Sequence, residues 1–169
     1  MSLPPSPPSD ARLTSAAVRV AIEHPRQPDV VELLTLGSEF ALGLYPPENT
    51  FLLNVEELER PGVTVYVARD EGGRVLGMAA LVPWGTAVTE LKRMFVHADA
   101  RGRGVASSIL ARAEADARAA GLRQIVLETG TEHHVAQAVY RRNGYVEIPL
   151  FGIYIGEPYS VCMAKMLAH

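Results

Sequence analysis

Cysteine is almost missing from this sequence: among 169 residues there is one, Cys162. A lone cysteine forms no disulfide within the chain and offers no cysteine-based metal site. It fits a reducing, cytoplasmic setting. No apolar run approaches the ~18 residues of a membrane-spanning helix. A basic surplus is missing too: 16 Lys and Arg stand against 19 Asp and Glu, for a net charge of −3. Nucleic-acid binders carry a clear excess of positive charge, so neither nucleic acid nor membrane is an expected partner. There is no internal repeat, no G-x-x-x-x-G-K-[ST] loop and no G-x-G-x-x-G run. His133 and His134 are adjacent, but no pair has the His-x-x-x-His spacing of a helical metal site, so no metal is expected.

What is present suits one globular domain of ordinary composition, with 48% apolar and 21% charged residues. Residues 1–13 read as a flexible Pro/Ser-rich tail, without the apolar run of a secretory signal. Residues 14–169 read as the single domain. Within it, strand-like and helix-like patterns alternate. A first strand is expected at 16–23. Asp29 then stands as N-cap of a helix over 30–44, ended by Pro46-Pro47. Asn54 caps a short helix over 55–60. Strands at 63–69 and 74–82 flank Asp70-Glu71-Gly72-Gly73, a hairpin signal. A strand at 88–97 leads to an Ala-rich helix over 105–120, stopped by Gly121. A strand at 123–129, a helix at 134–143, and strands at 145–148 and 159–167 complete the domain. The order β-α-α-β-β-β-α-β-α-β-β departs from strict βα alternation, which argues against a Rossmann domain. It predicts an α/β (α+β) fold with a mixed sheet of about seven strands and about four helices.

Arg101-Gly102-Arg103-Gly104-Val105-Ala106 joins an apolar strand to the Ala-rich helix. Two glycines let the backbone turn sharply and come close to a ligand. The helix start behind them carries unpaired N–H groups and partial positive charge, which suits a pyrophosphate. Arg101 and Arg103 add charge, and Ser107 and Ser108 add hydroxyls. A plain strand-to-helix turn with solvated arginines accounts for the same residues equally well.

The pattern Arg101-x-x-Gly104-x-Ala106 resembles the Q/R-x-x-G-x-G/A signature of the GNAT acetyltransferase superfamily. Downstream, Ala138-Val139-Tyr140-x-x-x-Gly144-Tyr145 is similar to that family's A-x-x-L-Y-x-x-x-G-F/Y motif, with Val139 for leucine. The resemblance covers about residues 16–167. It implies acetyl-CoA as cosubstrate, with its pyrophosphate on the loop 101–107. It also implies two parallel strands splayed in mid-sheet, where the backbone around Met94, Phe95 and Val96 receives the pantetheine arm. His133 occupies the position where the family often places an asparagine against that arm.

Amide formation from a thioester needs a base for the amine, a donor for the developing oxyanion and a proton for the departing thiolate. Strand alternation puts Glu90, Lys92, Met94 and Val96 on one face. Glu90 stands eleven residues before Arg101, where some members of the family carry a general base, and Glu128 on the neighbouring strand is the second candidate. An ion pair of Glu90 with Lys92 or Arg93 is the structural alternative. By the same resemblance Tyr140 is the acid that protonates the thiolate.

Acceptor-site candidates are Tyr45, Glu48, Arg93 and Glu128, together with the segment 151–154. Glu48 would attract an amine, and Arg93 or Lys92 would receive a carboxylate, so an amino acid or similar zwitterion fits that arrangement. Cys162 lies in an apolar strand and reads as core. The expected activity is N-acetyl transfer to a primary amine of a small molecule or peptide. The alternatives are a non-catalytic acyl-CoA sensor and an interaction module on the same fold. A homodimer is expected from the family's habit.

Overall fold

A computed structural model describes residues 17–168; the tail expected over 1–13 lies outside the described residues. The elements are β1 (Arg19–Ile22), α1 (Pro28–Leu44), α2 (Val55–Leu58), β2 (Thr64–Arg69), β3 (Val75–Pro83), β4 (Val88–Val96), α3 (Val105–Ala119), β5 (Gln124–Gly130), α4 (His134–Arg142), β6 (Val146–Ile148) and β7 (Ser160–Met166). This is the order read from the sequence, with single 3-10 turns added at Pro47–Asn49, Ala98–Ala100 and Gly152–Tyr154.

Local chemistry explains most of the boundaries. Asn54 caps α2 by a reciprocal box: its side chain accepts from the Glu57 N–H, and the Glu57 carboxylate accepts from the Asn54 N–H. α3 closes on a Schellman motif, with Leu122 N–H donating to Ala117 O and Gly121 N–H to Arg118 O. Gly121 supplies the left-handed residue that this motif requires. The start of α1 differs from expectation. Its cap is Gln27, and Pro28 begins the first turn. Asp29 sits inside that turn, because its carboxylate accepts from Arg69 Nη1 at 2.6 Å and ties α1 to β2.

The strands form one sheet in the order β1-β2-β3-β4-β5-β7-β6. Among the described residues only β4 and β5 run parallel; every other pairing there is antiparallel. Each face of the sheet carries its own core. On one, Ile109, Leu110 and Ala113 of α3 pack over Tyr66, Ala79, Leu91 and Ile125. On the other, Val30, Leu33 and Leu34 of α1 and Leu58 of α2 cover Val65, Val67, Met78 and Ala80. Completely burying an Ile or Leu contributes ~1.5–3 kcal/mol, so these two layers hold the sheet between its helices.

Two irregularities interrupt β4. Ala80 faces Lys92 but Met78 faces Phe95, so Arg93 and Met94 together stand opposite one residue of β3. Arg93 takes φ +59° in this bulge, the one non-glycine residue with positive φ among the described residues. The extra residue inverts the alternation. Glu90 and Lys92 lie on the α1 face with Phe95, while Met94 and Val96 turn to the α3 face with Leu91. The expectation that 90, 92, 94 and 96 share one face fails for that reason. Second, the β4–β5 ladder runs only from Val88↔Gln124 to Leu91↔Leu127. Beyond it β4 continues to Val96 and β5 to Gly130 without pairing, so the two strands part in mid-sheet. No helix among the described residues is long and apolar enough to cross a membrane.

Candidate active site

The parted strands open a cleft of about 730 Å³, whose walls include Phe40 of α1, Met94–Val96 of β4, Glu128–Gly130 of β5 and Tyr140 of α4. At one end lies the loop between β4 and α3. Gly102 and Gly104 both hold left-handed backbone, φ +77° and +76°. A Cβ at either would meet nothing within 4 Å, so glycine is required there by conformation and not by crowding. Gly104 is the N-cap of α3 and bears no side chain to occupy the helix end. The first intrahelical bond runs from Ser108 N–H to Gly104 O at 3.0 Å. The N–H groups of Val105, Ala106 and Ser107 therefore precede the ladder, and all three residues line the cleft. Together they form an anion cradle reinforced by the helix dipole.

The surrounding side chains hold this end in place. Arg101 lays its guanidinium over Phe40 at 5.3 Å and over Phe95 at 5.8 Å. His133 leans on Phe40 with ring centroids 5.1 Å apart. Burial, and next the Arg101 charge, push its imidazole below the usual histidine range, so it is neutral at neutral pH. The Ser107 hydroxyl accepts from Asn143 Nδ2 at 3.1 Å, and Lys165 Nζ donates to Asn143 O at 2.8 Å. Asn143 links the end of α4 to the start of α3. Sequence reasoning passed over it; the signal was a polar residue at a helix end directly before Gly144. Arg103 is exposed and lies outside the cleft wall.

Tyr140 and Glu128 both line the cleft, near enough for the Glu128 charge to act on the phenol. The phenol of Tyr140 is buried against Tyr145, ring centroids 5.8 Å apart, and receives no hydrogen bond from the described residues. Burial, then the charge of Glu128, push its pKa well above the ordinary tyrosine value. Glu128 lines the cleft, accepts from Ser160 Oγ at 3.0 Å and forms no ion pair among the described residues. Its burial raises its carboxyl above the usual carboxylate range. The Glu128 charge also helps to raise Tyr45 and Tyr154, whose largest cause is again burial.

Glu90 is placed differently. It is buried behind Tyr154, whose hydroxyl donates to its Oε2 at 2.7 Å, and it is not part of the cleft wall. Lys92 Nζ donates to the same Tyr154 hydroxyl at 2.6 Å and stands 3.8 Å from Glu90 Oε2. Glu90 is thus linked to the cleft through Tyr154 and Lys92, which both line it. Arg93 turns its guanidinium to α1, donating to Leu34 O at 2.7 Å and Ser38 Oγ at 3.1 Å. Its Nε is buried without a partner among the described residues, and burial lowers the pKa to about 10.

At the far end Tyr45 accepts from the Glu132 N–H at 3.1 Å. Its hydroxyl fills the space that a Cβ on Gly130 would need, so glycine at 130 admits the tyrosine. Glu48 is exposed and outside the wall. Phe51 and Tyr159, neither singled out as site residues in the sequence, complete the wall with Tyr154. Cys162 is fully buried, and burial raises its thiol pKa. No group of three or more His, Cys, Asp or Glu side chains able to hold a metal occurs among the described residues.

Comparison with known proteins bears on this geometry. The model of the acetyltransferase (GNAT) family matches residues 27–145. An IAA acetyltransferase of Azospirillum brasilense is 38% identical over 151 residues, covering 89% of this chain and 98% of that protein. The uncharacterized N-acetyltransferase YsnE of Bacillus subtilis (strain 168) is 32% identical over 124 residues, 72% of this chain and 82% of its own length. Among solved structures, a protein of Klebsiella pneumoniae assigned as an acyl-CoA N-acyltransferase superposes with TM-score 0.75 at 27% identity. That match covers 89% of this chain and 98% of the other.

Proposed function

Because the chain belongs to the acetyltransferase (GNAT) family, we propose that it transfers an acetyl group from acetyl-CoA to a primary amine of a small molecule or peptide, by direct attack within a ternary complex. One observation carries this reading: a single cleft holds an anion cradle at one end and is also lined by a phenol and a half-buried carboxylate that forms no ion pair among the described residues. Acetyl-CoA supplies the activated thioester. The N–H groups of Val105, Ala106 and Ser107, with Arg101, hold its pyrophosphate, and the side of Met94–Val96 that β5 does not pair receives the pantetheine arm as a strand would. The Met94 N–H is the donor we assign to the developing oxyanion.

Glu128 takes the proton from the incoming ammonium. Burial raises its pKa above the usual carboxylate range, the direction that suits a base, and it lines the cleft where Glu90 does not. As the N–C bond forms and the C–S bond breaks, sulfur gains a proton from the Tyr140 phenol and the second amine proton passes from nitrogen to the Tyr140 oxygen, which restores the phenol. Tyr140 makes the delivery to sulfur, because burial keeps its phenol protonated across the working range.

Free-thiol release against a panel of amines tests the transfer. Tyr140→Phe should lower turnover by about 10²–10⁴-fold, the usual scale of general acid–base catalysis. Stabilisation of the fold by coenzyme A should persist in that variant, at ~2.7 kcal/mol with ligand at about 100 times its Kd. Unchanged turnover removes Tyr140 from the reaction. No thermal shift with saturating coenzyme in the parent protein overturns the whole assignment.

A further inference from the structure

The acceptor end of the cleft has a definite charge and a definite wall. Two arginines and one lysine line the cleft through β4 and the loop after it, and each is already committed. Lys92 is only 9% exposed at its side chain and is matched by Glu90 and the Tyr154 hydroxyl. Arg93 is bonded to α1, and Arg101 is stacked on Phe40 and Phe95. Arg142 lies at the phosphate end, next to Asn143, whose amide bonds Ser107. Glu90 offsets Lys92, Arg93 is turned onto neutral acceptors of α1, and the Glu128 carboxylate, with the Glu157 charge acting on it, supplies negative charge at the acceptor end. Glu132, on the rim, adds to that sign.

The wall is aromatic. Tyr45 from the end of α1, Phe51 from the segment before α2, and Tyr154 and Tyr159 from the approach to β7 all face the cleft. Phe51 meets Tyr154 edge-on at 5.2 Å, and Tyr45 lies 6.0 Å from Tyr159. Rings around one carboxylate receive a cationic head by cation–π attraction and a flat apolar body by stacking.

We propose that the acceptor is an arylalkylamine without a carboxylate; this rests on the transfer reading above. An α-amino acid sets its carboxylate one carbon from the amine. At this site it would lie beside Glu128, while the Lys92 and Arg93 cations that line the cleft are already held by Tyr154 and α1, so the carboxylate would meet like charge without a free cation side chain to bond it. A polyamine needs a second acidic partner deep in the site. Glu157 is held by Asn49 Nδ2 at 2.8 Å, and the Glu132 side chain is 65% exposed. The zwitterion suggested by Lys92 and Arg93 in the sequence is disfavoured, because both side chains have other partners.

Matched probes test this. Tryptamine and phenethylamine differ from tryptophan and phenylalanine only by the carboxylate, and putrescine supplies the polyamine arm. Each is titrated calorimetrically into protein saturated with coenzyme A, and each is offered with acetyl-CoA while thiol release is followed. The aryl amines should bind and turn over about 100-fold better than their amino acids, the ratio that a few kcal/mol of like-charge contact produces. In Glu128→Gln the binding ratio should fall toward one, whatever happens to turnover. Amino acids binding as tightly as the amines, or putrescine outcompeting both aryl amines, overturns the proposal. If tryptamine binds selectively to the coenzyme-loaded protein but no amine is acetylated, the transfer reading fails and the recognition stands. If none of the aryl amines binds, the recognition fails even where some other amine is acetylated.

Discussion

Glu128 is a half-buried carboxylate on the cleft wall, and that has two measurable consequences. Its folded-state pKa is raised above the unfolded value of ~4.3 by burial. A group shifted that way contributes stability below its unfolded pKa and loses it as pH rises through the folded pKa. Wherever the carboxylate is ionised it therefore destabilises the fold. Glu128→Gln should melt at a higher temperature than the parent at pH 7–8, and the gain should shrink as pH falls toward ~4. The same variant should lose the acid limb of kcat/KM, which in the parent lies above the ordinary carboxylate range. Thermal melts and rate profiles over pH 4–9 read both effects. A lower melting temperature at neutral pH would show that Glu128 is stabilised by a partner it does not have here.

At the scale of elements, the loop that starts α3 and the bulge in β4 illustrate what a sequence can and cannot convey. The loop is legible because its requirements are local. Gly102 and Gly104 must reach positive φ, and the helix behind them follows from its own periodicity. Gly104→Ala should cost ~1–2 kcal/mol of stability, the usual penalty for placing a Cβ in left-handed backbone. It should also weaken coenzyme binding, because the N–H groups of Val105–Ser107 are aimed by that residue. Urea midpoints with and without coenzyme A separate the two; an alanine variant equal to the parent in both would show that the backbone does not depend on this glycine.

The bulge was not legible. Positive φ normally announces itself through glycine or asparagine, and here an arginine adopts it, anchored by Leu34 and Ser38 of α1. That anchor is a tertiary contact 59 residues away in sequence. Period-two reasoning therefore carried Met94 and Val96 to the wrong face. The start of α1 failed on the same ground, since Arg69 draws Asp29 away from a capping role. Glu90, read from its spacing to Arg101, turns out to stand behind Tyr154, which comes from a chain segment 64 residues later. Order and type of elements rest on local patterns; which carboxylate meets the cleft depends on how distant elements pack.

For the molecule as a whole, stability and binding are distributed over different parts. The layer of α3 against the sheet is closely packed, with Ile109 at 0% exposure. Ile109→Ala should cost ~2–5 kcal/mol. At ~2–4 °C per kcal/mol for a chain of this size, the melting temperature should fall by about 4–20 °C. Coenzyme A should still bind the folded fraction, since Ile109 does not line the cleft. Calorimetric melts with and without ligand check this: equal falls are expected, and a larger fall with ligand would show that the core and the cleft are one cooperative element.

The parting of β4 and β5 has a further consequence, for solubility. Unpaired rows of peptide groups at the outer margin of a sheet act as templates for other chains and promote edge-to-edge association. Here such a row lies inside the molecule, between Phe40 of α1 and Tyr140 of α4. A folded neighbour is too broad to enter it, whereas a single extended arm fits. The protein thus keeps a strand-like docking seam without presenting it for aggregation.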